Sequence, residues 1–130
     1  MNPEATDLAR RLVAHPRFRW APGVLDSGGW RVLYVDPDDG LPRVAMESEQ
    51  AWSAEGPPDL DDAATAGVLL AMLAPLVEGQ DLEFTYAGVM RVPGRLTWEI
   101  DIDGRFLSQA DCFGEALALA LLAVWGDDRP

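Results

Sequence analysis

From Leu96 to Ser108 the chain alternates apolar and polar residues around an Asp103-Gly104 pair, and no other stretch constrains the fold as tightly. In an extended strand Leu96, Trp98, Ile100 and Ile102 share one face, while Thr97, Glu99 and Asp101 share the other. Asp-Gly is a favoured two-residue hairpin turn, so Phe106 and Ser108 belong to the returning strand. The hairpin leads into a segment from about Asp111 to Trp125 that is apolar on most of a helical circumference and rich in alanine. Such a helix must pack closely against a sheet. Asp111 or Ser108 is its expected cap, and Gly126 its stop.

The upstream elements follow from the same logic. Asn2-Pro3 starts a helix with Leu8, Ala9 and Leu12 on one face, ended by His15-Pro16. Trp30 to Val35 reads as a strand. Asp36-Pro37-Asp38-Asp39-Gly40 is a turn, and Arg43 to Met46 pairs back. Residues 47–60 read as a long loop carrying Trp52. Asp59 or Asp61 is expected to cap a helix from about Asp62 to Ala74, which Pro75 ends or kinks. Leu82, Phe84, Tyr86, Met90 and Val92 share a strand face before a Pro93-Gly94 turn. The expected class is α+β: an antiparallel sheet of about 4–5 strands with helices packed on it, in the order α-β-β-α-β-β-β-α. At 130 residues the chain fits a single domain, 1–130.

Charge is the strongest compositional feature. The chain has 22 acids and 10 bases, for a net charge of −12, and every base is arginine. Residues 1–31 hold five arginines and three acids, a net of +2; residues 32–130 hold five arginines and nineteen acids, a net of −14. Such a field repels nucleic acid and attracts basic surfaces. The longest apolar run, Ala116 to Trp125, is about half a membrane span. Glu4 and Asp7 precede the first apolar residues, unlike a signal peptide, so a cytoplasmic protein is expected.

The sequence offers little for catalysis. His15 is the single histidine and sits at a helix end before a proline. Cys112 is the single cysteine, with no second histidine to complete a nucleophile–base–orienter arrangement. One cysteine and one histidine cannot make the usual four-ligand zinc site. With no lysine, a phosphate-binding lysine is excluded. Asp36, Asp38 and Glu47 fall at positions 1, 3 and 12 of a calcium-type loop, but Leu41 occupies the position that needs glycine. Neither a catalytic group, a metal site nor a cofactor is expected.

Leu12-Val13-Ala14 with Phe18-Arg19-Trp20, Asp59-Leu60-Asp61-Asp62-Ala63-Ala64-Thr65 opening a leucine-rich helix, Trp98 on a strand, and Phe113-Gly114-Glu115-Ala116-Leu117-Ala118 in the last helix give the chain a resemblance to the phage ABA-sandwich domain proteins. The resemblance covers most of the chain. It departs over 36–58, and the usual tight loop before the last helix is missing. It implies helices flanking a sheet and supplies no catalytic residues.

These features lead to an expectation of a non-enzymatic phage-type accessory protein that binds a basic protein surface. One concrete form is an anti-CRISPR or other anti-defence inhibitor acting by nucleic-acid mimicry. The expected contacts are Asp36, Asp38, Asp39, Glu47, Glu49 and Trp52, then Asp59, Asp61 and Asp62, then Glu99, Asp101 and Asp103. The partner is a protein rather than nucleic acid or membrane. The alternative is a structural role as a virion accessory or homo-oligomer, built on apolar surface around Trp52 and the last helix. A hydrolase would require a carboxylate pair in a concave, partly buried pocket.

Overall fold

The computed structural model describes residues 3–46, 49–51, 56–88 and 96–126. The elements are α1 (Pro3–Ala14), β1 (Arg31–Val35), β2 (Pro42–Met46), β3 (Glu49–Ala51), α2 (Ala63–Leu73), β4 (Leu82–Gly88), β5 (Leu96–Ile102), β6 (Arg105–Ala110) and α3 (Phe113–Trp125). The α+β class and the helix–strand order hold. The strands divide between two antiparallel sheets of three, β1-β2-β3 and β4-β5-β6, and Glu49–Ala51 adds a short strand within the stretch read as loop. Met90, Val92 and the Pro93-Gly94 turn lie outside the described residues.

The hairpin that anchors the sequence reading forms as expected. Asp103 and Gly104 take φ of 52° and 76°, both in the left-handed region that a tight hairpin turn needs. The register sets Ile102 opposite Leu82 and Ile100 opposite Phe84 and Ser108. Ile100 and Ile102 are buried on the face toward α3. Phe84 is only partly covered: it meets Phe113 edge-on at 5.2 Å, and Trp98 lies 4.7 Å from the same ring.

α3 is the centre of the main core. Ala116, Leu117, Ala118, Ala120 and Leu121 are all fully buried, with α1, α2, β5 and β6 packed around them. Ser108 explains one polar residue in that core, because its hydroxyl donates to the Ala116 carbonyl at 2.8 Å. The first sheet has a smaller core of Val24, Trp30, Val32 and Val44, and Trp20 packs against both clusters.

Two helix caps differ from expectation. Asp62, not Asp59 or Asp61, caps α2; its carboxylate accepts the Thr65 N–H. Cys112, not Asp111 or Ser108, caps α3, with Sγ accepting the Glu115 N–H at 3.4 Å. Ser108 is buried within β6 and committed to Ala116, so it cannot reach the helix start. Pro75 ends α2 as expected: the chain tightens into a 3₁₀ turn over Ala74–Val77.

The start of α3 lies directly against the Leu60 backbone. A Cβ built on Gly114 would stand 2.0 Å from the Leu60 carbonyl oxygen. In an exposed helix, Gly→Ala stabilises by roughly 0.5–1 kcal/mol. Here the clash is with backbone and reverses the sign. Gly114→Ala is expected to destabilise by about 2 kcal/mol, within the usual range for overpacking; urea unfolding followed by circular dichroism measures this, and a neutral or stabilising result contradicts the close approach.

Candidate functional site

The carboxylates expected to form a binding surface sort into two groups. The first group is tied up by arginines. In the β1–β2 turn, the Arg43 guanidinium donates to Asp36 at 3.1 Å and to Asp39 at 2.7 Å. The remaining oxygens of these two residues accept backbone N–H groups of Asp38 and Leu41. The Arg43 guanidinium holds the Asp39 carboxyl below the usual carboxylate range. This accounts for the calcium-like spacing as an arginine-pinned hairpin turn, with Asp38 exposed at its tip.

Asp62 is the second carboxylate of this kind. Arg31 grips it through both terminal nitrogens, at 2.7 and 3.3 Å, and Thr65 donates both its N–H and its hydroxyl. The fully buried Thr65 hydroxyl also accepts the Leu25 N–H, so one carboxylate joins the first sheet, the 25–31 loop and α2. Burial opposes ionisation of Asp62, but Arg31 and the Thr65 donors outweigh it and hold the carboxyl below its ordinary range. Asp59 accepts the Asp61 N–H and shapes the same loop.

The second group lines the far side of the second sheet. The register sets Glu83 beside Asp101, Thr85 beside Glu99, and Glu99 beside Gln109 on the face turned away from α3. Gln109 donates to the Thr97 hydroxyl at 2.8 Å. Asp103 closes the end of this sheet, exchanging hydrogen bonds with Asp81.

Gln109 also belongs to the edge of that face, where β6 borders two clefts of about 430 and 550 Å³ above α3 and beside α1. The first cleft is rimmed by Glu4, Asp7, Asp111 and Glu115, with Arg11 the single base among its lining residues. Nothing in the sequence marks Glu4, Asp7, Asp111 or Glu115 as part of a binding surface, and Asp111 is expected there as a helix cap. Their positions along the chain give no sign that α1 and the start of α3 meet. Glu47 and Trp52 lie outside the described residues, as does the side chain of Glu49.

The lone cysteine and histidine are both engaged in hydrogen bonds at the ends of α3. Burial pushes the Cys112 thiol up to about 12, so it stays protonated at neutral pH; it is placed to donate to the Leu60 carbonyl at 3.6 Å. Among the described residues Asp61, Cys112 and Glu115 bring ligand-type atoms within 4.8 Å of one another. Their wiring is that of a helix cap, since the sulfur is engaged by both Leu60 and the Glu115 N–H. His15 accepts the Arg17 N–H on Nδ1, which leaves Nε2–H to donate to Gly126 at the end of α3, and its ring stacks on Trp125 at 4.8 Å. Among the described residues no helix is long and apolar enough to cross a membrane.

Comparison with protein-family models, with curated proteins and with solved structures finds no match.

Two outcomes follow for the carboxylates. The depressed Asp62 contributes stability that is present at neutral pH and lost as pH falls below 3.8. Asp62→Ala is expected to cost about 1–2 kcal/mol at pH 7, as loss of a helix cap does. Asp62→Asn should sit between it and the parent, and the gap from the parent should close on acidification; urea titrations across pH decide this. Glu115 behaves in the opposite sense. Burial, then repulsion from Asp61, Asp111 and Glu4, raises its carboxyl above the ordinary 4.5, so the ionised form costs folding stability at neutral pH. Glu115→Gln should stabilise by about 0.5 kcal/mol at pH 7. The gain should vanish well below pH 4.5, where the glutamate is protonated in both folded and unfolded chains. A loss of stability at pH 7 contradicts this account.

Proposed function

We propose that this chain is a non-enzymatic acidic module that binds a basic protein surface. The carrying observation is the sorting of its carboxylates. Asp36, Asp39 and Asp62 are matched to arginines within the chain. Glu83, Glu99 and Asp101 line one face of the second sheet, and Glu4, Asp7, Asp111 and Glu115 rim a separate cleft that Gln109 of β6 also lines. A band of carboxylates on a sheet face suits a surface that ordinarily receives phosphates, which supports inhibition by nucleic-acid mimicry as the concrete form. The resemblance to phage proteins favours a host defence complex as the partner.

The second reading, self-assembly, draws on Leu33, Tyr34 and Leu41, which are about half exposed near the β1–β2 turn. Sedimentation separates the two, because a monomer across the working concentration range removes self-assembly.

The test is affinity capture from a host lysate with the parent and with a Glu83→Gln/Glu99→Gln/Asp101→Asn triple variant. Partners of the parent should carry basic surfaces, should be depleted at least about tenfold by the triple variant, and should be released at 1 M salt, where the screening length falls to about 3 Å. Partners retained equally by both proteins in high salt would sink the proposal.

A further inference from the structure

β6 is an edge strand, and among the described residues no strand pairs with its outer side. Such an edge presents a row of backbone donors and acceptors along the strand. Here it borders a groove rather than open solvent. Four consecutive β6 residues, Phe106 to Gln109, line the larger cleft together with Arg11 of α1. Leu119, Leu122 and Ala123 of α3 add apolar lining. Phe106 is 57% exposed at one end, a large apolar surface with no cover. At the other end Gln109, Arg11 and Leu119 carry the groove into the acid-rimmed cleft.

We propose that an extended basic segment of a partner protein adds to β6 as a further strand in this groove. The inference rests on the basic-partner reading above and specifies where and how the partner engages. β6 is 6 residues long, and at about 3.3 Å per residue it offers a run of roughly 20 Å. An added strand lies about 4.8 Å from its neighbour, which places it in the cleft that β6 lines with Arg11 and α3. Its side chains alternate: one set meets Leu107, Leu119 and Leu122, and the other faces outward. Its charge is set by the adjoining rim, where Glu4, Asp7, Asp111 and Glu115 outnumber Arg11 and the Arg10 that lies 3.7 Å from Asp7. Arginine or lysine at the end over Glu4, Asp7 and Glu115 is therefore favoured, and an acidic strand is repelled. Backbone pairing supplies affinity and the side-chain pockets supply selectivity, as in other strand-addition complexes.

The test titrates the ¹⁵N-labelled full chain with a capped peptide of about seven residues alternating lysine and valine, matched to the β6 span. Two control peptides accompany it: one with glutamate in place of lysine, and one N-methylated on the backbone amides of one edge. Amide shifts should concentrate on Phe106–Ala110 and on the facing side of α1, and β6 amide exchange should slow. N-methylation on the pairing edge should weaken binding at least about tenfold, since it removes several backbone hydrogen bonds. Glu4→Gln/Glu115→Gln should weaken it several-fold, and because Glu115→Gln is expected to stabilise the fold, the loss is not one of folding. Shifts confined to the Glu83, Glu99 and Asp101 face, with affinity unchanged by N-methylation, would overturn strand addition and leave the basic-partner reading standing. Equal binding of the glutamate peptide would overturn the basic-partner reading as well. Absence of binding by the lysine peptide at millimolar concentration overturns the groove proposal alone, because the capture experiment tests the wider reading independently.

Discussion

α3 has to be apolar on nearly every side because α1, α2 and the second sheet all pack on it. Its alanines let neighbouring backbones come close, and its leucines fill the space between them. The closest approach is at its first turn, where Gly114 lies under the Leu60 carbonyl. That contact fixes more than packing. It sets Cys112 against Leu60, brings Asp61 toward Glu115, and turns the acidic start of α3 toward the N-terminal end of α1. The cleft is thus a consequence of how one buried helix is seated.

The five arginines of the first 31 residues and the five beyond them do not act as a uniform counter-charge. Arg31 and Arg43 each satisfy carboxylates at a structural joint: the cap of α2 in one case, the β1–β2 turn in the other. Arg19 instead serves backbone carbonyls of Pro16 and Phe18. The acidity of the chain is therefore partly spent on folding. The second sheet and its bordering cleft carry further carboxylates, on elements whose positions are set by the main core.

The parts of this structure that were legible in the sequence are the local ones. The Asp103-Gly104 turn, the α1 face of Leu8, Ala9 and Leu12, and the stop at Gly126 each depend on residues within a few positions of one another. The caps were legible only in type. Three aspartates stand at 59, 61 and 62, and Arg31, far away in sequence, sets Asp62 at the helix start. At α3 a thiol took the role because Asp111 lies one residue before the cap. Alternation gives a strand its faces but not its sheet, so strands that belong to two sheets read as one sheet of about 4–5 strands. The site followed the same rule. Glu99 and Asp101 were readable from the period-two pattern, while Glu4 and Asp7 meet Asp111 and Glu115 only through the packing of α1 on α3.

An open strand edge is ordinarily a hazard, since it can pair with the same edge of another copy. Here the rim makes the edge selective. Two copies meeting at β6 would each carry a net charge of −12, and like charge works against their association. In the proposed complex a basic strand would meet the opposite balance: its charges would offset the repulsion from Asp61, Asp111 and Glu4 that, after burial, raises the Glu115 carboxyl. The carboxylate that weighs on the folded state would thus favour a basic partner. This favours a heterologous complex over assembly through this edge.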